Sequence, residues 1–397
     1  VCMFRRLILL FVILINTDAS AQDLSKAPAN FAYQDGKAVF IDVLRTYTEI
    51  TFDVASRKAT ATSSMWFLTG AEDGYPIFDL VPNPTSMKLN SQSTASAVVA
   101  DPDGETRYRI IKTKAPAYSL NYLEIAYDYP SSEITWDSGS ASTLWSTDDL
   151  SSGGRNFMEQ YMPANTEFDQ FQAELKVTVT GGGQHEIFTN GSPQALAANA
   201  WHISFPYWYT SSGHYFHLTP KGKFAVATGF VNGSRQIPII TYSSSQSLAD
   251  RALTSAKSVI LELERDYGPY SHNSFVGLIT SSGGGMEHCG AAITSLGALG
   301  HEIFHSWFAR SVMPKDGNSG WMDEGMASWR DNGYPRASSG PNRQPVNLSG
   351  HSQYRRHTDG GSYAQGSKFL SELDYVFRDL GGMRALIKQK KWQHQKN

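Results

Sequence analysis

The chain has 397 residues, room for two domains of ordinary size. With 41% hydrophobic and 18% charged residues it reads as globular, which excludes a disordered chain. A net charge of -3, with no basic cluster before the last few residues, excludes a nucleic-acid binder.

At the N-terminus Arg5 and Arg6 precede an apolar run from Leu7 to Ile15, too short to span a bilayer. Ala19-Ser20-Ala21 follows as a small-x-small cleavage site. This is the layout of a secretory signal peptide over 1–21, with a short membrane anchor as the alternative. The expectation is a secreted or periplasmic protein with no stable membrane association after cleavage. Cleavage removes Cys2 and leaves Cys289 alone, so the mature chain forms no internal disulfide and depends on core packing.

Residues 22–245 read as β-rich. Ile50-Thr51-Phe52-Asp53-Val54 and Ala59-Thr60-Ala61-Thr62 flank a polar turn. Tyr108 to Ile111, Tyr122 to Tyr129 and Phe171 to Val179 are further strand-like runs, several alternating apolar with polar side chains. Gly-, Pro- and Asn-rich turns separate them, and the pattern predicts an antiparallel β-sandwich. Asn190, Asn232 and Asn347 head glycosylation sequons that matter only in a eukaryotic source.

Ser243-Ser244-Ser245 reads as a linker into a second domain over 246–397. Ser247 offers a helix N-cap. Ala252, Ala256, Val259, Ile260, Leu263 and Tyr267 follow at helical spacing, and Gly268-Pro269 stops the helix. Ser274 to Thr280 reads as a strand and the glycines at 283, 284 and 285 as a bend. Helices are expected over Thr294 to Arg310, from near Trp321, and from Tyr363 to Leu380.

His301-Glu302-Ile303-Phe304-His305 is H-E-x-x-H. On a helix, residues four apart share a face, so both imidazoles can reach one ion. Glu302 then lies about 100° round the helix, where its carboxylate can take a proton from water at the metal. A catalytic zinc needs three protein ligands and one open position. The pentapeptide alone is weak evidence. His185-Glu186-Ile187-Phe188-Thr189 repeats its first four letters in a strand-like segment, lacks the second histidine, and reads as structural.

Eighteen residues beyond His305 stands Glu324, in Trp321-Met322-Asp323-Glu324-Gly325-Met326-Ala327. H-E-x-x-H-x18-E resembles the ligand pattern of the gluzincins, and this box resembles the W-x-x-E-G-x-A box of the aminopeptidase N-like zinc peptidases. Upstream, Gly284-Gly285-Met286-Glu287-His288 resembles their G-x-M-E-N box. Downstream, Tyr363-Ala364-Gln365-Gly366 resembles their Y-x-K-G box. The resemblance covers roughly residues 283 to 370 and is faint in the β-rich part. It implies a multidomain β + α/β chain, an N-terminal antiparallel β-sandwich followed by a thermolysin-like zinc-peptidase domain. It further implies zinc held by His301, His305 and Glu324, with Glu302 as the base and Tyr363 stabilising the oxyanion. Glu287 would bind the free α-amine of a peptide, and Gly284, Gly285 and Met286 would bring the backbone against it. The implied activity is that of an aminopeptidase, with a zinc endopeptidase or a binding module carrying a structural zinc as alternatives.

The departures have their own meaning. His288 stands where these enzymes carry Asn and matches the G-G-L-E-H box of the glycyl aminopeptidases. Gln365 replaces a Lys, and twelve residues separate His288 from His301. The chain ends at Asn397, soon after the Tyr box, so a short member without the helical lobe that covers the cleft is expected.

Overall fold

The computed structural model describes residues 24–148, 150, 155–312, 321–341, 348, 352–355 and 357–394. The expected signal peptide and Cys2 lie outside these residues. Among the described residues no helix is long and apolar enough to cross a membrane.

The long hairpin of Ile41–Asp53 and Lys58–Thr69 organises the N-terminal part. Its alternation is the cause. Ile50, Phe52, Ala59, Ala61, Met65 and Phe67 point inward and are buried, while Thr51, Thr60 and Thr62 face out. Asp53 closes the turn by accepting the backbone N–H groups of Ala55 and Ser56. Around this hairpin an eight-stranded sheet forms, flanked by Leu120–Asp128 on one side and Gln172–Thr180 on the other. A four-stranded sheet that includes Ser140–Leu144 and Phe216–Pro220 shares its core, with Trp145, Phe216 and Leu218 packed among Leu175, Val177 and Ile203. A five-stranded sheet contains Arg107–Ile111.

The expected antiparallel pairing is corrected in two places. Gln172–Thr180 runs parallel to Ile41–Asp53, and Gly36–Val39 runs parallel to Tyr75–Phe78. Both pairs join segments distant in sequence, where no hairpin turn dictates direction.

The second unit begins earlier than the serine run suggests. Ala225–Asn232 and Gln236–Ser243 pair with each other and then, through the second strand, with Phe275–Thr280. Ser243 is no linker. It ends a strand, and its buried hydroxyl donates to Ile279 O at 2.8 Å. Ala291–Ser295 follows in parallel, and Gly285–His288 forms the antiparallel edge. Helix α1, Gln246–Tyr267, lays Ala252, Ala256, Ile260 and Leu263 on this sheet. Its cap residue is Ser245, not Ser247, and it ends at Gly268, whose φ of 88° only glycine adopts readily.

The expected helix from Thr294 to Arg310 is shorter. Thr294 and Ser295 belong to the strand. Ser295 Oγ accepts the Ala298 N–H, and helix α2 spans only Leu299–Phe304. Turns carry the chain on through Arg310. Trp307, fully buried, donates its indole N–H to Gly268 O at 2.9 Å and ties these turns to the end of α1. Such a side chain is worth about 3–5 kcal/mol on the scale of large-to-small core truncations. Helix α3 spans Trp321–Asp331; a single π-helical turn, Ser362–Gly366, leads into α4, Ser367–Val376, and α5 spans Met383–His394.

Candidate metal centre and active-site cleft

The second H-E-I-F stretch behaves as its own control. His185 starts a strand, is buried, and accepts the Ala141 N–H at Nε2 while Nδ1 faces Gly183 O at 3.0 Å. Both ring nitrogens are used, and no ligand function remains. Asn190 is likewise committed: its buried amide donates to Gly213 O and Cys289 O, which leaves no exposed acceptor for a glycan.

Helix α2 and its C-terminal residue present His301 and His305 to one side, and α3 delivers Glu324 from across. Their ligand atoms all lie within 4.8 Å of one another. His301 Nε2 stands 2.9 Å from Glu324 Oε2, and His305 Nε2 is 3.4 Å from the same oxygen. His305 Nε2 is buried without a well-formed hydrogen bond. The remaining nitrogens are held elsewhere: His301 Nδ1 by Asp331 Oδ2 at 2.6 Å, His305 Nδ1 by Phe308 O at 3.2 Å. Two imidazoles fixed through Nδ1, converging at Nε2 on a buried carboxylate, are a donor set that fits zinc. A second group, Glu287, His305 and Asp323, comes equally close, but Glu287 is held by Arg310 and Asp323 accepts the Glu324 N–H.

The charges follow from this packing. Burial alone would lower the pKa of His301, but hydrogen bonds to Asp331 and Glu324 outweigh it and raise it to about 9. His305 is likewise raised against its burial, chiefly by the Glu324 charge. Burial would raise Glu324, yet the two imidazoles hold it well below the carboxylate range.

Glu302 is 5% exposed. Burial pushes its pKa up to about 8, with Glu287 adding to the rise and both imidazoles opposing it. The edge strand explains why it fits. A Cβ on Gly285 would lie 2.3 Å from Glu302 Oε1, so the absence of a side chain makes room for the carboxylate. Gly285→Ala is therefore expected to displace Glu302 and lower kcat by about 100-fold, the effect of an ångström-scale misplacement, with zinc content unchanged. Kinetics and metal analysis on the same preparation check it.

Tyr363 is placed by a backbone contact. A Cβ on Gly366 would come within 2.8 Å of Gly325 Cα, so the π-helical turn and α3 touch through two glycines. The Tyr363 hydroxyl then donates to Glu324 Oε1 at 3.1 Å, and its ring stacks on His301. Glu287, 4% exposed, sits on the edge strand with Oε1 2.8 Å from Arg310 Nη2. His288 is buried, as is Cys289.

A cleft of about 910 Å³ runs over these groups. Gly284, Gly285, Met286 and Glu287 of the edge-strand segment line it together with His301, Glu302, Tyr363 and the Ser146 to Asp148 wall of the β-rich part. The structure brings His301, His305 and Glu324 to one point and lines one cleft with Gly284, Gly285, Met286, Glu287, Glu302 and Tyr363, while His288 is buried away from that lining. Sequence reasoning missed Asp331, Arg310 and the Ser146 to Asp148 wall. Asp331 had a signal: it stands two turns after Glu324 on the same face of α3. The wall had none, since it comes from a distant part of the chain.

No protein-family profile matches this sequence, and no curated protein matches it. Solved structures do. An M1 zinc metallopeptidase from Deinococcus radiodurans is 14% identical at a TM-score of 0.55, covering 75% of this chain and 70% of that one. A mutant of an M1 zinc metallopeptidase from the same organism is 14% identical at a TM-score of 0.62, covering 92% of this chain and 89% of that one. A two-domain M1 zinc metallopeptidase mutant bound to L-arginine is 13% identical at 0.62, covering 91% and 87%. At such identities the likeness is one of fold: this chain is built like the two-domain M1 zinc metallopeptidases.

Proposed function

We propose that this chain is a secreted zinc metallopeptidase of aminopeptidase type, acting on peptides, with no nucleic-acid partner. The observation that carries the reading is the convergence of His301, His305 and Glu324 within 4.8 Å, with Glu302 buried beside them in an open cleft. A zinc ion held there would supply Lewis acidity, polarising the scissile carbonyl and acidifying water.

The residues of the chain do the rest. Glu302 takes the proton of the attacking water and returns it to the leaving amine. Tyr363 turns its hydroxyl from Glu324 to the oxygen on which negative charge develops. The edge strand at Gly284 to Glu287 pairs with the substrate backbone, as an extended peptide adds to a sheet edge. Glu287 lies beside the N-terminal residue. Asp331 fixes the ring of His301 through Nδ1.

The test is removal and return of metal. Purified protein is expected to hold one zinc per chain and to hydrolyse aminoacyl-anilides and short peptides. A chelator should abolish this hydrolysis and stoichiometric zinc should restore it. Zinc-loaded protein inert toward every peptide offered would overturn the enzymatic reading and leave a structural zinc.

A further inference from the structure

One carboxylate of the cleft has no task in the chemistry above. Glu324 faces the metal, Glu302 is the base, Asp331 holds His301, and Glu287 is held by Arg310. Asp148 lines the cleft as well, and among the described residues no lysine or arginine does. Asp148 Oδ1 accepts the Leu150 N–H at 2.9 Å. This sets the carboxylate beside a leucine that is 50% exposed and lines the same cleft. A carboxylate has about four lone-pair positions, so the turn leaves it able to accept from a ligand. Its neighbour Thr147 is 5% exposed, lines the cleft, and has an Oγ1 with no hydrogen-bond partner among the described residues.

The place of this wall is fixed by its contacts. The Tyr161 hydroxyl accepts the Ser146 N–H and donates to Ser146 O, both at 3.0 Å, and the Trp145 ring stacks on that of Tyr161. The Trp145 N–H donates to Phe216 O at 2.9 Å. Tyr215, one residue earlier, packs its ring 5.2 Å from that of His288. The Asn190 side chain accepts the Tyr215 N–H and donates to Cys289 O. The wall is thus tied to the His288 end of the edge strand, next to Glu287.

We propose that the Ser146 to Asp148 wall, with Leu150, receives the side chain of the substrate's first residue and selects arginine or lysine there, Asp148 being the specificity-determining residue. This rests on the aminopeptidase reading and deepens it. The α-amine and the side chain branch from one carbon, so an amine held at Glu287 leaves the first side chain beside the wall. Arginine and lysine join an apolar stem to a cationic head. Leu150 meets the stem and Asp148 the head, and Thr147 Oγ1 can accept a further N–H. An acidic side chain finds no cationic partner among the described lining residues. Because Tyr161 already holds the wall, little ordering is needed on binding.

The experiment compares the anilides of arginine, lysine, leucine and glutamate as substrates of the zinc-loaded protein. The wild type is expected to favour arginine and lysine over leucine by at least about tenfold in kcat/KM, the scale of one charge-assisted hydrogen bond, with glutamate the poorest. Asp148→Asn keeps an oxygen for the Leu150 N–H and should bring the arginine-to-leucine ratio near one. Asp148→Glu should restore part of it, and Asp148→Lys should place glutamate above arginine. A structural role alone would lower all four rates together and leave the ratios unmoved. A wild-type ratio below about tenfold, or a folded Asp148→Asn protein with an unchanged ratio, overturns the proposal. If Asp148→Asn does not fold, the wild-type ratio decides. If no anilide is hydrolysed, the peptidase reading fails. The subsite is then decided by calorimetry of L-argininamide and L-leucinamide on zinc-loaded Glu302→Gln protein: tighter binding of the arginine compound by at least about tenfold supports it, and a smaller ratio overturns it.

Discussion

Glu302→Gln is expected to keep one zinc per chain and to lower kcat by about 100- to 10,000-fold, the range a general base contributes. The amide fills the same volume under Gly285, where no larger group would fit. It cannot accept the proton of the attacking water, and Glu302 is not among the residues whose ligand atoms converge, His301, His305 and Glu324. Stability should move the other way. The pKa of Glu302 is raised to about 8 in the folded protein without metal, mainly by burial. For a carboxyl whose folded pKa lies above its unfolded one, stability is complete below the unfolded value and is lost as pH rises through the folded value. Around neutral pH the native carboxyl is already paying part of that cost, and glutamine removes it. Metal-free Glu302→Gln protein should therefore melt no lower than metal-free wild type at pH 8, with a difference that shrinks at pH 5. A variant that kept kcat within tenfold of wild type would show that another group takes the proton.

The legible part of this protein was local. H-E-x-x-H states its geometry in five letters because helical periodicity maps spacing directly onto direction. The boxes around Glu287, Glu324 and Tyr363 were read by resemblance, and helix α1 by the spacing of Ala252 to Tyr267 and the Gly268 stop. What was illegible is non-local or ambiguous in period. The two parallel strand pairs depend on which distant segments meet, which alternation does not encode. Ala291–Ser295 is short and apolar, and such a run looks the same as the start of a buried helix. Ser243 looked like linker because serine usually marks loops, yet its hydroxyl finds a backbone carbonyl on the neighbouring strand and can be buried. Arg310 was overlooked for the opposite reason. Arginine is rarely buried, so a sequence reader leaves it on the surface until the structure supplies Glu287 and Glu167.

Zinc uptake is expected to expel close to two protons and to tighten about 100-fold per pH unit between pH 6 and 8. Without metal, His301 has its pKa raised to about 9 and His305 is raised as well, because both face the Glu324 carboxylate and His301 also holds Asp331. At neutral pH both rings carry protons on the nitrogens a metal must use, and an imidazole binds metal only when neutral. Two protons released per ion bound give a slope of two in log Kd against pH, and the share of His301 in it fades as pH passes about 9. The sign for stability is fixed by the same shifts. A histidine whose folded pKa is raised contributes stability that is complete below its unfolded value near 6.5 and is lost as pH rises through the folded value. Metal-free protein should thus soften between pH 6.5 and 9. Zinc-loaded protein gains in that window, because ligand stabilisation follows the ratio of free zinc to Kd and a 100-fold tightening adds about 2.7 kcal/mol. The gap in Tm between loaded and metal-free protein should therefore widen with pH. Calorimetry in buffers of different ionisation enthalpy counts the protons directly. Release of fewer than one proton per zinc at pH 7 would mean that the imidazoles are already neutral, and that Glu324 is held in place by something other than their charge.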